Sequence, residues 1–313
     1  MSEGSRDFLD PSVLSRLMAL PLHARQSMIG SVSGMHRSPV RGSSLEFAEY
    51  RKYVPGDDLR RLDWRAWGRS DRYYIKEFEA DTNLRMVFLM DVSGSMNFAH
   101  DGKEENGTRL DYARKLAGSL AYLAAHQGDA VGLWAAGASG KKGSPSAAVN
   151  LPARRGSVHL GTLLDSLGQI EAAGETTLLQ SLHEAAEQIS QRALIVIFSD
   201  LFADAAELRS AVQHLRFRKH DVVVFHLLDQ QELDFDFDRP ARFVDLEGAE
   251  PILADPEDVG NAYRKAVTEW IREIDNIVRT SGIDYHRIKL QENYAEVLAR
   301  FLLSRTPKKG GKE

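Results

Sequence analysis

The chain contains no cysteine among its 313 residues. Disulfides, zinc–thiolate sites and cysteine nucleophiles are therefore excluded, and the composition fits a reducing compartment. Uninterrupted apolar runs are far shorter than the roughly 20 residues that a membrane-spanning helix requires. Residues 1–7 lack the basic and apolar regions of a secretion signal. We therefore expect a cytoplasmic protein that does not insert into a membrane.

An excess of one charge sign is also missing, because 45 acidic residues stand against 40 basic ones. No overall field favours nucleic acid or an anionic membrane, so any such binding has to be local. Common catalytic motifs are missing too. There is no Gly-x-x-x-x-Gly-Lys-Ser/Thr loop, no His-Glu-x-x-His helix and no Gly-x-Ser-x-Gly elbow around Ser93 or Ser95. The sequence therefore favours a protein that is not an enzyme.

The sequence does contain an apolar strand that ends in an acid and two serines. Residues 84–90 form an apolar run typical of a buried strand, and Asp91, Ser93 and Ser95 follow it. In an extended loop, residues two apart can turn their side chains toward one point, so three oxygen ligands for Mg2+ or Mn2+ would converge. The alternative is structural: Asp91 and Ser93 cap the next helix, and Ser95 belongs to a turn.

A second buried strand, residues 193–199, also ends in an acid, Asp200. The carboxyl ends of adjacent strands in an open parallel sheet line one crevice, so Asp200 can face Asp91 there. Between the two strands, Thr176 and Thr177 stand at the entrance to a predicted helix. Either threonine would supply a further hydroxyl ligand, and Thr176 is the better match by position.

These three segments resemble the metal-ion-dependent adhesion site of von Willebrand factor A domains. Residues 45–81 in turn resemble the signature of the family of unknown function DUF58, and they include the run Tyr53-Val-Pro-Gly-Asp-Asp-Leu-Arg-Arg-Leu-Asp-Trp-Arg-Ala-Trp-Gly68. Members of this family couple the signature to a von Willebrand A-like domain. Together the two motifs cover most of residues 36–230.

The resemblance implies a site that holds Mg2+ or Mn2+ through Asp91, Ser93, Ser95, Thr176 and Asp200. In an adhesion site of this kind the ion keeps an open coordination position, which a carboxylate of a partner protein fills. Family members are commonly encoded with AAA+ ATPases of the MoxR type. The resemblance therefore implies a metal-dependent adaptor that works with such an ATPase and a client protein in assembling or maturing a protein complex.

Strands alternate with helices along the chain, which predicts an α/β fold with a mostly parallel sheet covered on both faces. The resemblance implies the same three-layer, doubly wound fold. The predicted elements between 84 and 230 include helices at 109–127, 157–171, 178–190 and 205–218 and strands at 130–136, 147–151 and 222–228. Beyond them we expect a hairpin formed by 242–246 and 251–253, a helix at 256–280, a strand at 283–290 and a helix at 294–304.

We expect four parts along the chain. They are an N-terminal segment with the signature (1–83), the von Willebrand A-like domain (84–230), a C-terminal extension packed on it (231–305) and a disordered tail (306–313). In the first part, arginines and aromatic residues interleave between 60 and 74, a mixture that can stack bases and hold phosphates. Acids in the same segment repel phosphate and can pair with the arginines, which favours a protein-facing network over nucleic acid. The candidate partner-binding residues are Arg60, Asp63, Trp64, Arg65 and Arg69.

Three other interpretations stay open. A metal-dependent phosphohydrolase would use Asp91 and Asp200, although Ser93 stands where an aspartyl-phosphate site usually has its second acid. A nucleic-acid binder would use the segment 60–74. A scaffold without metal would satisfy both aspartates by hydrogen bonds alone.

Overall fold

The computed structural model describes residues 6–20, 22, 46–52, 67–68, 73–79, 84–99, 107–136, 149–237, 239–248 and 250–306. The chain divides into two compact units, one formed by residues 1–25 with 85–313 and the other by residues 26–84. The four parts predicted from the sequence stay a prediction.

The smaller unit contains a two-stranded antiparallel sheet. Strand β1 (Glu46–Lys52) pairs with β2 (Tyr74–Glu79). The rings of Trp67 and Tyr73 stack with their centroids 6.0 Å apart. The five candidate partner-binding residues, Arg60, Asp63, Trp64, Arg65 and Arg69, lie outside the described residues, so their role stays a prediction.

The larger unit alternates strands with helices. Its strands are β3 (Arg85–Asp91), β4 (Ala130–Ala136), β5 (Val149–Arg154), β6 (Leu194–Ser199), β7 (Asp221–Leu228), β8 (Ala241–Phe243), β9 (Ile252–Ala254) and β10 (Asp284–Lys289). Its helices are α1 (Pro11–Leu17), α2 (Arg109–His126), α3 (Ser157–Gln169), α4 (Leu178–Gln188), α5 (Ala205–Phe217), α6 (Gln230–Asp234), α7 (Pro256–Thr280) and α8 (Tyr294–Arg305). Among the described helices, none has both the length and the apolar character needed to cross a membrane.

Six of these strands form one sheet in the order β10-β7-β6-β3-β4-β5. Neighbouring strands are parallel except at the edge, where β5 runs antiparallel to β4. The chain adds β4 and β5 on one side of β3 and then returns to place β6 on the other side. The strand order therefore reverses between β3 and β6, which is where open α/β sheets form a ligand crevice. The predicted three-layer, doubly wound α/β fold is confirmed.

Helices cover both faces of the sheet, so its central strands are buried along their whole length instead of alternating. Every residue of β6 and β7 is buried. Helices α4, α5 and α7 pack on one face. On the other face, a row of rings joins the sheet to α8 through Phe88, Phe198, Phe225 and Phe301, with neighbouring centroids 5.1–6.4 Å apart.

Helix α2 begins at a capping box in which Thr108 and Asp111 each bind the other's backbone amide through their side chains. The sequence predicts one apolar stripe along this helix. The structure also buries Tyr112, Ala121 and Leu123, because α1, α3 and α8 all contact α2. The helix is therefore central to its layer and has little surface left for water.

The predicted hairpin is present, but its first strand is shorter than expected. Strand β8 ends at Phe243, which lies opposite Ile252 in β9. The apolar pair Val244 and Leu246, predicted as strand, instead lies in the connecting loop. The sequence also did not predict α6, which a capping box between Asp229 and Glu232 starts directly after β7.

Candidate functional site

The first part of the candidate site is the turn at the carboxyl end of β3. The Ser93 amide donates a hydrogen bond to Asp91 Oδ1 over 3.0 Å, which closes a tight turn directly after the strand. The hydroxyl oxygens of Ser93 and Ser95 lie 2.9 Å apart. Ser93 occupies the N-cap position of the following 3-10 helix, but its side chain makes no capping hydrogen bond. The Ser93 hydroxyl is instead hydrogen-bonded to the Ser95 hydroxyl, so helix capping is not its role.

The second part is the end of β6, the neighbouring strand. Met90 pairs with Phe198 in the parallel register, so the residues that follow them come level with each other. The Ser199 hydroxyl donates to Asp91 Oδ2 over 2.7 Å and accepts from the Leu201 amide over 2.8 Å. Ser199 was not predicted, although a polar residue at the last position of an apolar strand was a usable signal.

The segment before α4 forms the third part. Its backbone runs along the β3 turn, because the Ala173 amide donates to the Val92 carbonyl and the Gly94 amide donates to the Gly174 carbonyl, over 2.9 and 2.8 Å. This pairing brings Thr176 to the same edge of the sheet. The Thr176 hydroxyl accepts from the Leu178 amide over 3.3 Å, whereas Thr177 is the N-cap residue of α4. The choice between the two threonines as a metal ligand stays a prediction.

The surroundings of Asp91 shift its pKa. Its side chain is buried, and its hydrogen bonds come from uncharged donors of Ser93 and Ser199. Burial first, and then the negative charge of Asp200, raise the pKa of Asp91 from its ordinary value to about 6. A cation beside this carboxylate would stabilise its charged form and oppose that shift.

Arg109 is a second charged residue at the site, and the sequence analysis missed it. Its side chain is buried, and Nη1 donates to Asp200 Oδ2 over 3.1 Å and to the Ser95 carbonyl over 2.9 Å. Nη2 forms an ion pair with Glu232 in α6. Burial lowers the pKa of Arg109, while the charges of Asp200 and Asp229 oppose that change. An arginine at the first position of a helix opposes the helix dipole, and this was the available signal.

His226 in β7 is hydrogen-bonded to the backbone of Asp200. His226 Nε2 donates to the Asp200 carbonyl over 2.7 Å, so Nδ1 has to accept from the Tyr285 hydroxyl, which lies 2.6 Å away. Burial lowers the pKa of His226 to about 4, so the ring is neutral near pH 7. This pair of hydrogen bonds fixes the backbone from which Asp200 extends.

The donors at the site fit a hard cation. Mg2+ takes oxygen ligands at about 2.0–2.1 Å in an octahedron, so two adjacent ligands lie ~2.9 Å apart. The Ser93 and Ser95 hydroxyls have that separation, and Asp91 adds a buried carboxylate. Arg109 takes up one oxygen of Asp200, and the Phe202 amide donates to the other over 3.2 Å. Among the described residues, no group of three or more histidine or acidic side chains is arranged to hold a metal, so the predicted site depends on its hydroxyls.

A cavity of about 270 Å3 opens beside the site. Its polar wall is formed by Ser95, Arg109, Asp200 and Glu232. Its apolar wall includes Phe98, Phe202, Val244, Leu246, Val267 and Trp270. Phe202 is 74% exposed and Val244 60%, so large apolar side chains reach water at the mouth of the cavity.

Comparisons with known proteins agree with the sequence resemblance at the family level. A family model described as "Protein of unknown function DUF58" matches residues 49–272. The chain is similar to the uncharacterized protein Rv1480 of Mycobacterium tuberculosis, with 23% identity over 309 residues that cover 96% of this chain and 92% of that protein. Among solved structures, BatB from Bacteroides thetaiotaomicron is 18% identical over 71% of this chain and 98% of its own, with a TM-score of 0.45. The SpRpn10 VWA domain is 13% identical over 70% of this chain and 95% of its own, with a TM-score of 0.42.

Proposed function

The chain belongs to the DUF58 family of proteins of unknown function, and we propose that it is a non-catalytic module that binds a partner protein through a divalent cation. The observation that carries the proposal is the arrangement at the end of β3. A buried aspartate whose hydrogen bonds come only from uncharged groups stands beside two hydroxyls 2.9 Å apart. Such a carboxylate is costly to keep in a protein interior unless a cation compensates it.

Asp91, Ser93 and Ser95 would hold Mg2+ or Mn2+ directly. Thr176 stands at the same edge of the sheet, and Asp200, already bound by Arg109, would act partly through water. The bound cation would supply a positive charge with an open coordination position, which a partner's carboxylate can fill. The side chains of this chain orient the ion: Ser199 fixes Asp91, and His226 fixes the backbone of Asp200.

Binding accounts for this site better than catalysis. An aspartyl-phosphate site usually has a second acid two residues after its nucleophile, and Ser93 occupies that position here. Turnover of p-nitrophenyl phosphate that requires Mg2+ and disappears in Asp91→Asn would favour the phosphohydrolase instead.

The proposed partner is a MoxR-type AAA+ ATPase, together with a client protein whose assembly or maturation the pair assists. This part rests on the family resemblance. The cytoplasmic location expected from the composition stays a prediction with it.

The proposal is tested by surface plasmon resonance with the immobilised chain and the MoxR-type ATPase of the same organism. We expect saturable binding in Mg2+ that disappears in EDTA and in Asp91→Ala. The control is Asp236→Ala, which removes an exposed acid away from the site and leaves binding unchanged. Equal binding in Mg2+ and EDTA, or equal binding of both variants, contradicts a metal-dependent adaptor.

A further inference from the structure

The loop between β8 and β9 lies directly against the candidate site. A Cβ atom on Gly94, the residue between the two serines, would lie 2.0 Å from the Leu246 carbonyl oxygen. Glu247 Oε2 accepts a hydrogen bond from the Thr176 amide over 3.2 Å. Two adjacent residues of the loop therefore contact two separate segments of the site.

The same loop contributes to the apolar wall of the cavity. Val244 and Leu246 both line it, although Leu246 is 45% exposed. An apolar side chain that is half in water gains only part of the free energy that full burial would give. The contact between Leu246 and the cavity is therefore one that another apolar side chain can replace at little cost.

The strands on either side of this loop are short, although Phe243 in β8 also packs against Phe235 and Phe237. Strands β8 and β9 have three residues each and form their own two-stranded sheet, separate from the six-stranded one. Two-stranded sheets of this size are marginal in water, and such segments open locally at low cost. Within the loop, Asp245 accepts from the Glu247 amide over 2.9 Å, so a local turn presents the Glu247 side chain to Thr176.

We propose that residues 244–247 are an internal occupant of the surface on which a partner protein docks. The partner displaces them with a segment of the same chemistry. That segment carries a large apolar residue followed by a glutamate. The apolar residue enters the cavity that Phe202 and Trp270 line, and the carboxylate reaches the edge where Thr176 and the metal residues lie. The inference rests on the proposed function, because it names the ligand and the internal competitor of that site.

The test uses a fluorescein-labelled peptide with the chain's own loop sequence, Phe-Val-Asp-Leu-Glu-Gly, from residues 243–248. Its binding is followed by fluorescence anisotropy with the full chain in millimolar MgCl2. An internal occupant present about 80–90% of the time weakens apparent binding by about five- to tenfold. We therefore expect Glu247→Ala, which leaves no side-chain acceptor for the Thr176 amide, to bind the peptide about five- to tenfold more tightly than wild type. The matched control is Glu250→Ala, which removes an exposed acid near the same hairpin and binds as wild type does.

A second peptide with Gln in place of Glu should bind none of the three proteins. Equal affinity of wild type, Glu247→Ala and Glu250→Ala overturns the inference, and so does binding of the Gln peptide or failure of every variant to bind. Hydrogen exchange at the Thr176 amide gives an independent readout. It should be faster in Glu247→Ala than in Glu250→Ala, and equal rates overturn the proposed contact.

Two further arms separate this inference from the proposed function. Tighter peptide binding by Glu247→Ala that persists in EDTA supports the internal occupant and overturns the metal dependence. Calorimetric Mg2+ binding that Asp91→Ala abolishes, together with no peptide binding, supports the metal site and overturns the internal occupant.

Discussion

Asp91→Asn is predicted to make the metal-free protein more stable, although it changes a buried residue of the candidate site. Burial and the charge of Asp200 raise the pKa of Asp91 to about 6, compared with an ordinary value of 3.8. As the pH rises from about 4 to about 6, the unfolded chain releases this proton while the folded chain retains it. The native state therefore loses stability over that range. Asparagine has nearly the same shape and cannot ionise, so it avoids the loss.

The expected magnitude follows from the size of the pKa shift. A shift of about two units corresponds to about 3 kcal/mol, because each unit is worth about 1.4 kcal/mol. The carbonyl oxygen of the introduced asparagine can still accept from the Ser93 amide, and its NH2 group can donate to Ser199, so most of the hydrogen bonding is kept. Asp91→Asn should thus be more stable by up to about 3 kcal/mol near pH 7.5 and nearly equal to wild type near pH 4.

The assay is urea unfolding in EDTA, followed by circular dichroism between about pH 4 and pH 8. Only the difference between wild type and variant isolates Asp91. Burial lowers the pKa values of His226 and His220 to about 4, so these groups add stability as the pH rises over the same range. The control is Asp221→Asn, a buried acid that accepts from Arg305 over 3.3 Å and should cost about 1–3 kcal/mol.

Destabilisation of the metal-free protein by Asp91→Asn at about pH 7.5 would refute this reasoning. So would a difference from wild type that does not change with pH. At a thousandfold excess of Mg2+ over Kd the order should reverse, because only wild type gains binding free energy, about 4.1 kcal/mol against a deficit of up to about 3 kcal/mol.

Three further predictions follow from contacts around the site. Arg109→Met leaves Asp200 and Glu232 without their shared cation and should cost about 3–5 kcal/mol in urea unfolding; a loss below about 1 kcal/mol contradicts the buried ion pair. Gly94→Ala should lower the free energy of unfolding by about 1–3 kcal/mol and speed hydrogen exchange at residues 244–248, because its Cβ overlaps the Leu246 carbonyl. The control Gly68→Ala should be neutral, because no atom lies within 4 Å of its new Cβ. His226→Phe removes the donor to the Asp200 carbonyl and should weaken Mg2+ affinity by about tenfold or more in calorimetry; unchanged affinity argues against its positioning role.

The sheet and the two acids of the candidate site, Asp91 and Asp200, were predictable from the sequence because they depend on local patterns of apolar residues. Continuous apolar runs followed by Asp91 and Asp200 indicate central parallel strands, and the carboxyl ends of such strands meet at one edge. The strand order then brings the two acids together without any further information. Residues 283–290 mix apolar with polar residues, as suits β10 at the edge of the sheet beside β7.

The rest of the site depends on contacts between residues far apart in the chain. Arg109 meets Asp200 and Glu232 across 91 and 123 residues, and Glu247 meets Thr176 across 71. Such pairs leave no trace in local periodicity. Val244 and Leu246 illustrate the opposite error: their alternation predicts a strand, but their apolar side chains line the cavity from a loop.

The most direct test of the central claim is calorimetric titration of the chelator-stripped protein with Mg2+ and with Mn2+. Wild type is compared with Asp91→Ala, Asp200→Ala and the control Asp236→Ala. The metal-dependent module predicts saturable binding of about one ion per chain in wild type and in Asp236→Ala, and no binding in the other two variants. Absence of binding to wild type at millimolar ion, or equal binding by all four proteins, contradicts it.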